Sequence, residues 1–166
     1  MKTSKAHLAY AVLLSLVTLW CLGIVAAPLL TGLPGVGGKL SGFLYETYGR
    51  VCHQIDGRSF HLHGQKLAVC ARCSSVYAAF WFGLLLYPFV WGMKKRTVPR
   101  ATWLLLAALP MVVDVVLSVA GIHGSTLLTR GVTGMLLGLF LPLFTVPTFL
   151  DASEHLGIES VGRPDS

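Results

Sequence analysis

Four long apolar runs, Leu8 to Leu30, Val76 to Trp91, Trp103 to Ala120 and Leu127 to Leu150, leave this chain few ways to fold. Each approaches or exceeds the about 17–25 residues that carry a helix across a bilayer. Hydrocarbon offers no partner to a backbone amide, so each run must satisfy its own hydrogen bonds, which predicts helices. The second run reaches spanning length once it takes in Cys73 to Ser75, and the fourth begins with Thr129 and Arg130; the predicted spans are therefore 8–30, 74–91, 103–120 and 129–150. Trp20, Trp91 and Trp103 stand near run ends, where indoles anchor among lipid headgroups.

Composition agrees. A mean hydropathy of +0.70, with 54% hydrophobic and only 12% charged residues, excludes the soluble classes. The net charge of +6 would suggest nucleic acid in a soluble protein. Here most Lys and Arg lie between the apolar runs, where they orient helices against anionic lipid, and no nucleic-acid partner is expected. The expectation is a single all-α integral membrane domain over residues 1–166, a four-helix transmembrane bundle with an extramembrane loop over 31–73. Membrane lipid is its expected surroundings, with room for a homo-oligomer.

Charge also sets a direction. Lys2 and Lys5 at the amino end, and Lys94, Lys95, Arg96 and Arg100 between the second and third runs, predict a multi-pass cell (inner) membrane protein with both termini cytoplasmic. The 31–73 loop then lies outside, although Lys39, Arg50, Arg58, Lys66 and Arg72 in it pull the other way. The basic Met1 to His7 stretch and Val25-Ala26-Ala27 imitate a cleavable signal. The run is long for a signal core and Pro28 would follow the scissile bond, so a retained helix is expected. The tail with Glu154, His155, Glu159 and Arg163-Pro164-Asp165 reads as a solvated end.

The loop gathers three of the four cysteines and three of the six histidines in VCHQIDGRSFHLHGQKLAVCARC, residues 51–73. Leu40, Phe43, Leu44, Thr47 and Val51 recur at helical spacing, which predicts a short amphipathic helix ending near Cys52-His53. Phe60 to His63 alternates, His63-Gly64-Gln65 has turn chemistry, and Leu67-Ala68-Val69 is expected as the returning strand of a hairpin. That fold-back delivers Cys70-x-x-Cys73 on a knuckle facing Cys52 and His53. Thiolate and imidazole suit zinc, and a C-x-x-C turn lets two sulfurs take adjacent corners of a tetrahedron. The expected metal ligands are Cys52, His53, Cys70 and Cys73, with His61 or His63 as the alternative fourth. The competing readings are a Cys70–Cys73 disulfide or redox pair, with Arg72 lowering a thiolate pKa, and inert packing. Cys21, inside the first run, is expected to pack as a small apolar side chain.

Asp114 interrupts the third run. A carboxylate at membrane depth costs several kcal/mol unless a partner accompanies it, which marks it as a functional candidate, with Arg130 the expected partner and Ser118, His123, Thr126 and Thr129 nearby. Helix packing alone is the plainer reading of such a pair. Arg58, Arg72, Asp114 and Arg130 together suggest a small polar pocket beneath the cysteines, with Asp114 and Arg130 the candidate catalytic groups. Gly131, Gly134 and Gly138 predict a close helix approach, and Pro110, Pro142 and Pro147 are tolerated in spans without a functional role.

Cys52-His53-Gln54, Arg58-Ser59-Phe60, Gly64, Cys70-Ala71-Arg72-Cys73 and Tyr77, followed by Asp114 and by Arg130 with Thr133-Gly134, resemble the bacterial and archaeal membrane-protein family called domain of unknown function 2085. The resemblance runs from the loop to the fourth helix and implies a small multi-helix membrane protein, without an activity. That family usually carries Thr-Gly after the second knuckle cysteine; Ser74-Ser75 stands here, which bears on where the second helix starts.

Three functions follow as expectations. The first is a Cys/His zinc or other transition-metal site that pins the hairpin over a pocket for a lipid headgroup or small anion. The second is a membrane thiol–disulfide oxidoreductase using Cys70 and Cys73, against which the missing thioredoxin-like βαβ pattern counts. The third is a metal-dependent hydrolase with Asp114 as base, which a zinc saturated by four protein ligands would disfavour.

Overall fold

The computed structural model describes residues 2–92, 98–122 and 124–159. The basic cluster Lys94-Lys95-Arg96, His123 and the Arg163-Pro164-Asp165 tail lie outside the described residues. Helix α1 (Lys2–Leu30) is followed by α2 (Val36–Gly49), a 3-10 turn (Asp56–Arg58) and a hairpin of β1 (His61–Leu62) and β2 (Gln65–Lys66). Then come α3 (Ala71–Val90), α4 (Ala101–Val119) and α5 (Leu127–Glu159). Ala6–Leu30, Ala71–Val90, Ala101–Val119 and Leu127–Ser153 are long and apolar enough to cross a membrane. The protein is a mostly helical, multi-span membrane protein with a small cysteine-containing loop between its first two spans.

The bundle is inside-out relative to a soluble protein only in its surface. Leu8, Val12, Leu16 and Leu19 on α1, and Leu105, Leu109, Val112 and Val116 on α4, are exposed, as lipid-facing stripes are. The inner face of α1, with Ala6, Tyr10, Leu13 and Val17, packs on Leu84, Tyr87, Val146 and Leu150. Small residues set the closest contact, between α3 and α5. A Cβ on Gly134 would stand 2.5 Å from the Arg72 carbonyl oxygen, and one on Gly138 would stand 2.8 Å from the Ala79 methyl. The expected glycine stripe therefore packs α5 onto α3. Pro142 reaches across the same interface, 2.8 Å from where a Cβ on Gly83 would be.

Helix α2 lies against the end of α1. Ser41 Oγ donates to the Ala27 carbonyl at 2.8 Å and the Tyr48 hydroxyl to the Trp20 carbonyl at 2.7 Å, while Leu40 and Phe43 stay exposed on the other side. Trp20 also packs against α2 and α3: its ring meets Tyr48 edge-on with centroids 4.7 Å apart, and Tyr77 at 5.9 Å. Cys21 packs as expected, its sulfur 3.6 Å from the Tyr77 carbonyl oxygen.

The hairpin turns earlier than the alternation predicts. Its register pairs His61 with Lys66 and Leu62 with Gln65, so the return strand is Gln65–Lys66, and Leu67 to Val69 lie beyond it. The reason is local: His63 (φ 51) and Gly64 (φ 77) both adopt the left-handed conformation of a two-residue primed turn. Ala68 and Val69 are thereby freed to bury completely beneath the loop. Ser74-Ser75 does not delay α3, because Ser74 N–H donates to the Cys70 carbonyl at 2.9 Å and closes its first turn.

Candidate functional site

Each cysteine is delivered by a different feature of the backbone. Cys52 extends α2 past its last regular residue, its N–H bonded to the Tyr48 carbonyl at 3.0 Å, and is buried at 7% exposure. Immediately afterwards Gln54 takes a positive φ of 50, which swings the chain away. Its side-chain amide then ties the loop together, donating to the Tyr45 and Ala68 carbonyls, each at 2.7 Å, while Lys66 Nζ donates to the Gln54 carbonyl at 2.9 Å. Cys70 is the N-cap of α3, and Cys73 follows in its first turn. The Cys70 N–H points at the Cys52 sulfur at 3.2 Å.

The three sulfurs lie within 4.8 Å of one another. Among the described residues no histidine joins them, which corrects the expected fourth ligand. His53 is exposed, because residues adjacent in a bent chain face opposite ways and Cys52 takes the inward one. His61 is held by Asp56 at 3.2 Å, and His63 sits exposed at the hairpin tip. The chain therefore offers a buried tri-cysteine cluster able to coordinate a metal or to act as a redox site. Tetrahedral zinc, with Zn–S near 2.3 Å, needs sulfurs about 3.8 Å apart, so the three donors fit an ion after a small closure and leave its fourth position open.

One wall of the cluster is apolar, built from Trp20, Ile24, Tyr48, Val69 and Tyr77. The other opens into a cavity of about 300 Å³ lined by the three cysteines, His53, Gln54, Arg58, Arg72 and Arg130. A hydrogen bond from the Cys73 thiol, opposed by burial and aided by the Arg72 and Cys73 backbone N–H groups, draws the Cys70 thiol down to about 5. A sulfur on the residue just before a helix N-terminus is placed for that effect.

Asp114 is buried at 8% exposure, and its ion-pair partner is Arg72, not Arg130. Arg72 projects from the first turn of α3 toward the end of α4, while Ser125 Oγ donates to the same carboxylate oxygen at 2.9 Å. Arg130, only 7% exposed, donates from Nε to the Ser125 carbonyl at 3.3 Å and turns toward the cavity. Arg58, Arg72 and Arg130 thus line one cavity, while Asp114, expected beside Arg130, pairs with Arg72 instead. Gln54, Tyr45 and Ser125 were missed as positioning groups; the sole signal for Gln54 was its place in Cys52-His53-Gln54.

Fold and site together define a class: multi-span helical membrane proteins with a tri-cysteine centre where the loop meets the bundle. The family model described as "Predicted membrane protein (DUF2085)" matches residues 52–152, and the chain belongs to that family. The matched stretch opens at Cys52 and takes in Cys70, Cys73, Asp114 and Arg130. The chain is also similar to the uncharacterized protein MJ1492 of Methanocaldococcus jannaschii, 34% identical over 108 residues, covering 65% of this chain and 69% of that one. No solved structure matches it.

Proposed function

We propose that the site carries out thiol–disulfide exchange at the membrane boundary, with Cys70 as the attacking sulfur. The observation that carries this reading is a C-x-x-C pair at a helix N-terminus with a third thiol within 4.8 Å. The Cys70 thiolate attacks one sulfur of a substrate disulfide; a sulfur–sulfur bond forms, the substrate's own breaks, and its second half leaves as a thiolate that takes up a proton. Cys73, losing its proton, then attacks Cys70 in the mixed disulfide and expels the remaining substrate thiol. The substrate disulfide gains two electrons and the cysteine pair loses them. Cys52, whose sulfur touches the Cys70 N–H, is the alternative resolving thiol. Closing either pair needs the sulfurs to approach to about 2.05 Å, a short move within one loop. The reading takes the loop to lie outside the cell membrane, opposite both termini, where disulfides persist.

A second reading has its own observation. Three sulfurs converging on one point can hold zinc through Cys52, Cys70 and Cys73, and an ion there would polarise whatever occupied its open position.

One measurement separates the two. The protein is purified in mild nonionic detergent without added metal, and bound metal, free thiols and disulfide-linked peptides are determined on one sample. Metal-free protein with a reversible Cys70–Cys73 disulfide is the expected result. One zinc per chain, released only by thiol modification, overturns it in favour of the second reading.

A further inference from the structure

The cavity over the sulfurs carries more positive charge than its surroundings balance. Arg58, Arg72 and Arg130 line it, and among the described residues one carboxylate, Asp114, is paired with any of them, at Arg72. Arg130 is more than nine-tenths buried, yet among the described residues its side chain makes one hydrogen bond, from Nε to the Ser125 carbonyl. A guanidinium has five N–H donors, so both terminal amino groups of Arg130 remain to serve a ligand. Arg72 Nε, likewise buried, has no hydrogen-bond partner among the described residues. A buried donor left unmade, as at Arg72 Nε, is costly, and the terminal amino groups of Arg130, which lines the cavity, form a planar fork that matches carboxylate geometry.

We propose that this pocket selects the substrate of the thiol exchange, admitting small disulfides that carry carboxylates, with Arg130 and Arg58 as the specificity residues. The inference rests on the thiol-exchange reading and adds the chemical class of the substrate to it. Arg130 comes from the start of α5 and Arg58 from the 3-10 turn, on elements separate from the α3 turn that presents Cys70 and Cys73. A carboxylate held between them sets the attached disulfide over the thiols that line the same cavity.

The test uses two dialkyl disulfides of opposite charge, the dicarboxylate dithiodipropionate and the diamine cystamine. Rates of Cys70–Cys73 disulfide formation are measured on reduced full-length protein in nonionic detergent. Each rate is divided by that of mercaptoethanol with the same disulfide, which removes their difference in intrinsic reactivity. The expected normalised preference for the dicarboxylate is about tenfold or more, the lower end of what a focused charged cleft supplies. It should fall several-fold in Arg130→Gln. Arg58 is exposed, so Arg58→Gln leaves the fold intact and should show the same loss should the buried variant fail to fold.

A normalised ratio at or below one, with the disulfide still forming, overturns the pocket's role and leaves thiol exchange standing. No Cys70–Cys73 disulfide with either reagent removes both. Stoichiometric anionic lipid that copurifies with the wild type and is lost in Arg130→Gln overturns the substrate assignment and makes the pocket a headgroup site.

Discussion

Cys70 and Asp114 show how one side chain's surroundings decide its chemistry. With its thiol drawn down to about 5, Cys70 stays a thiolate across neutral pH. Its alkylation by iodoacetamide should be nearly flat from pH 8 to 6 and fall only as protonation begins near pH 5, whereas an ordinary thiol, with a pKa of about 8.5, loses most of its rate by pH 7. Mass-spectrometric labelling of Cys70 against pH checks this; a rate still climbing steeply above pH 7 contradicts it. Cys73→Ala removes the hydrogen bond and should move the profile upward. Asp114 illustrates the buried pair. Asp114→Asn leaves the Arg72 guanidinium buried beside a neutral amide and should cost about 3–5 kcal/mol in detergent unfolding, while an Arg72→Met, Asp114→Leu double variant should recover most of it. Equal loss in single and double variants would mean that the pair contributes no more than packing volume.

Between elements, the site depends on two contacts. The first is the α3 and α5 seam, where Gly134 and Gly138 let backbone meet backbone beside Arg72 and Val76. Gly138→Val should separate the helices, lower the unfolding midpoint and loosen the cysteine site with it. Gly42→Ala on α2, where nothing lies within 4 Å, should be neutral. The second is the Gln54 clamp between α2 and the hairpin. Gln54→Leu strands the Tyr45 and Ala68 carbonyls, a loss of about 1–3 kcal/mol, and should slow Cys52–Cys70 crosslinking by a mild oxidant more than it slows Cys70–Cys73. Similar slowing of both would show that the clamp does not position Cys52.

For the whole molecule, the site stands where α1 and α4 end and α3 and α5 begin, so its chemistry faces one side of the membrane. A membrane-impermeant maleimide should label Cys70 in intact cells when the loop is outside. Labelling only after permeabilisation would place the loop inside and remove the oxidising compartment from the proposed reaction.

What the sequence determined was everything governed by local pattern and by solvent. Runs of apolar residues long enough for hydrocarbon specify spans, helical spacing specifies α2, and His63-Gly64 marks a hairpin turn, because each depends on neighbours in the chain. The C-x-x-C pair and its upstream cysteine were legible for the same reason. Only the tertiary structure excluded His53 from the sulfurs, set Trp20 against Tyr48 and Tyr77, and gave Asp114 to Arg72. Those outcomes depend on which way a side chain faces once distant helices pack, and a single rotation of about 100° per residue separates a ligand from a bystander.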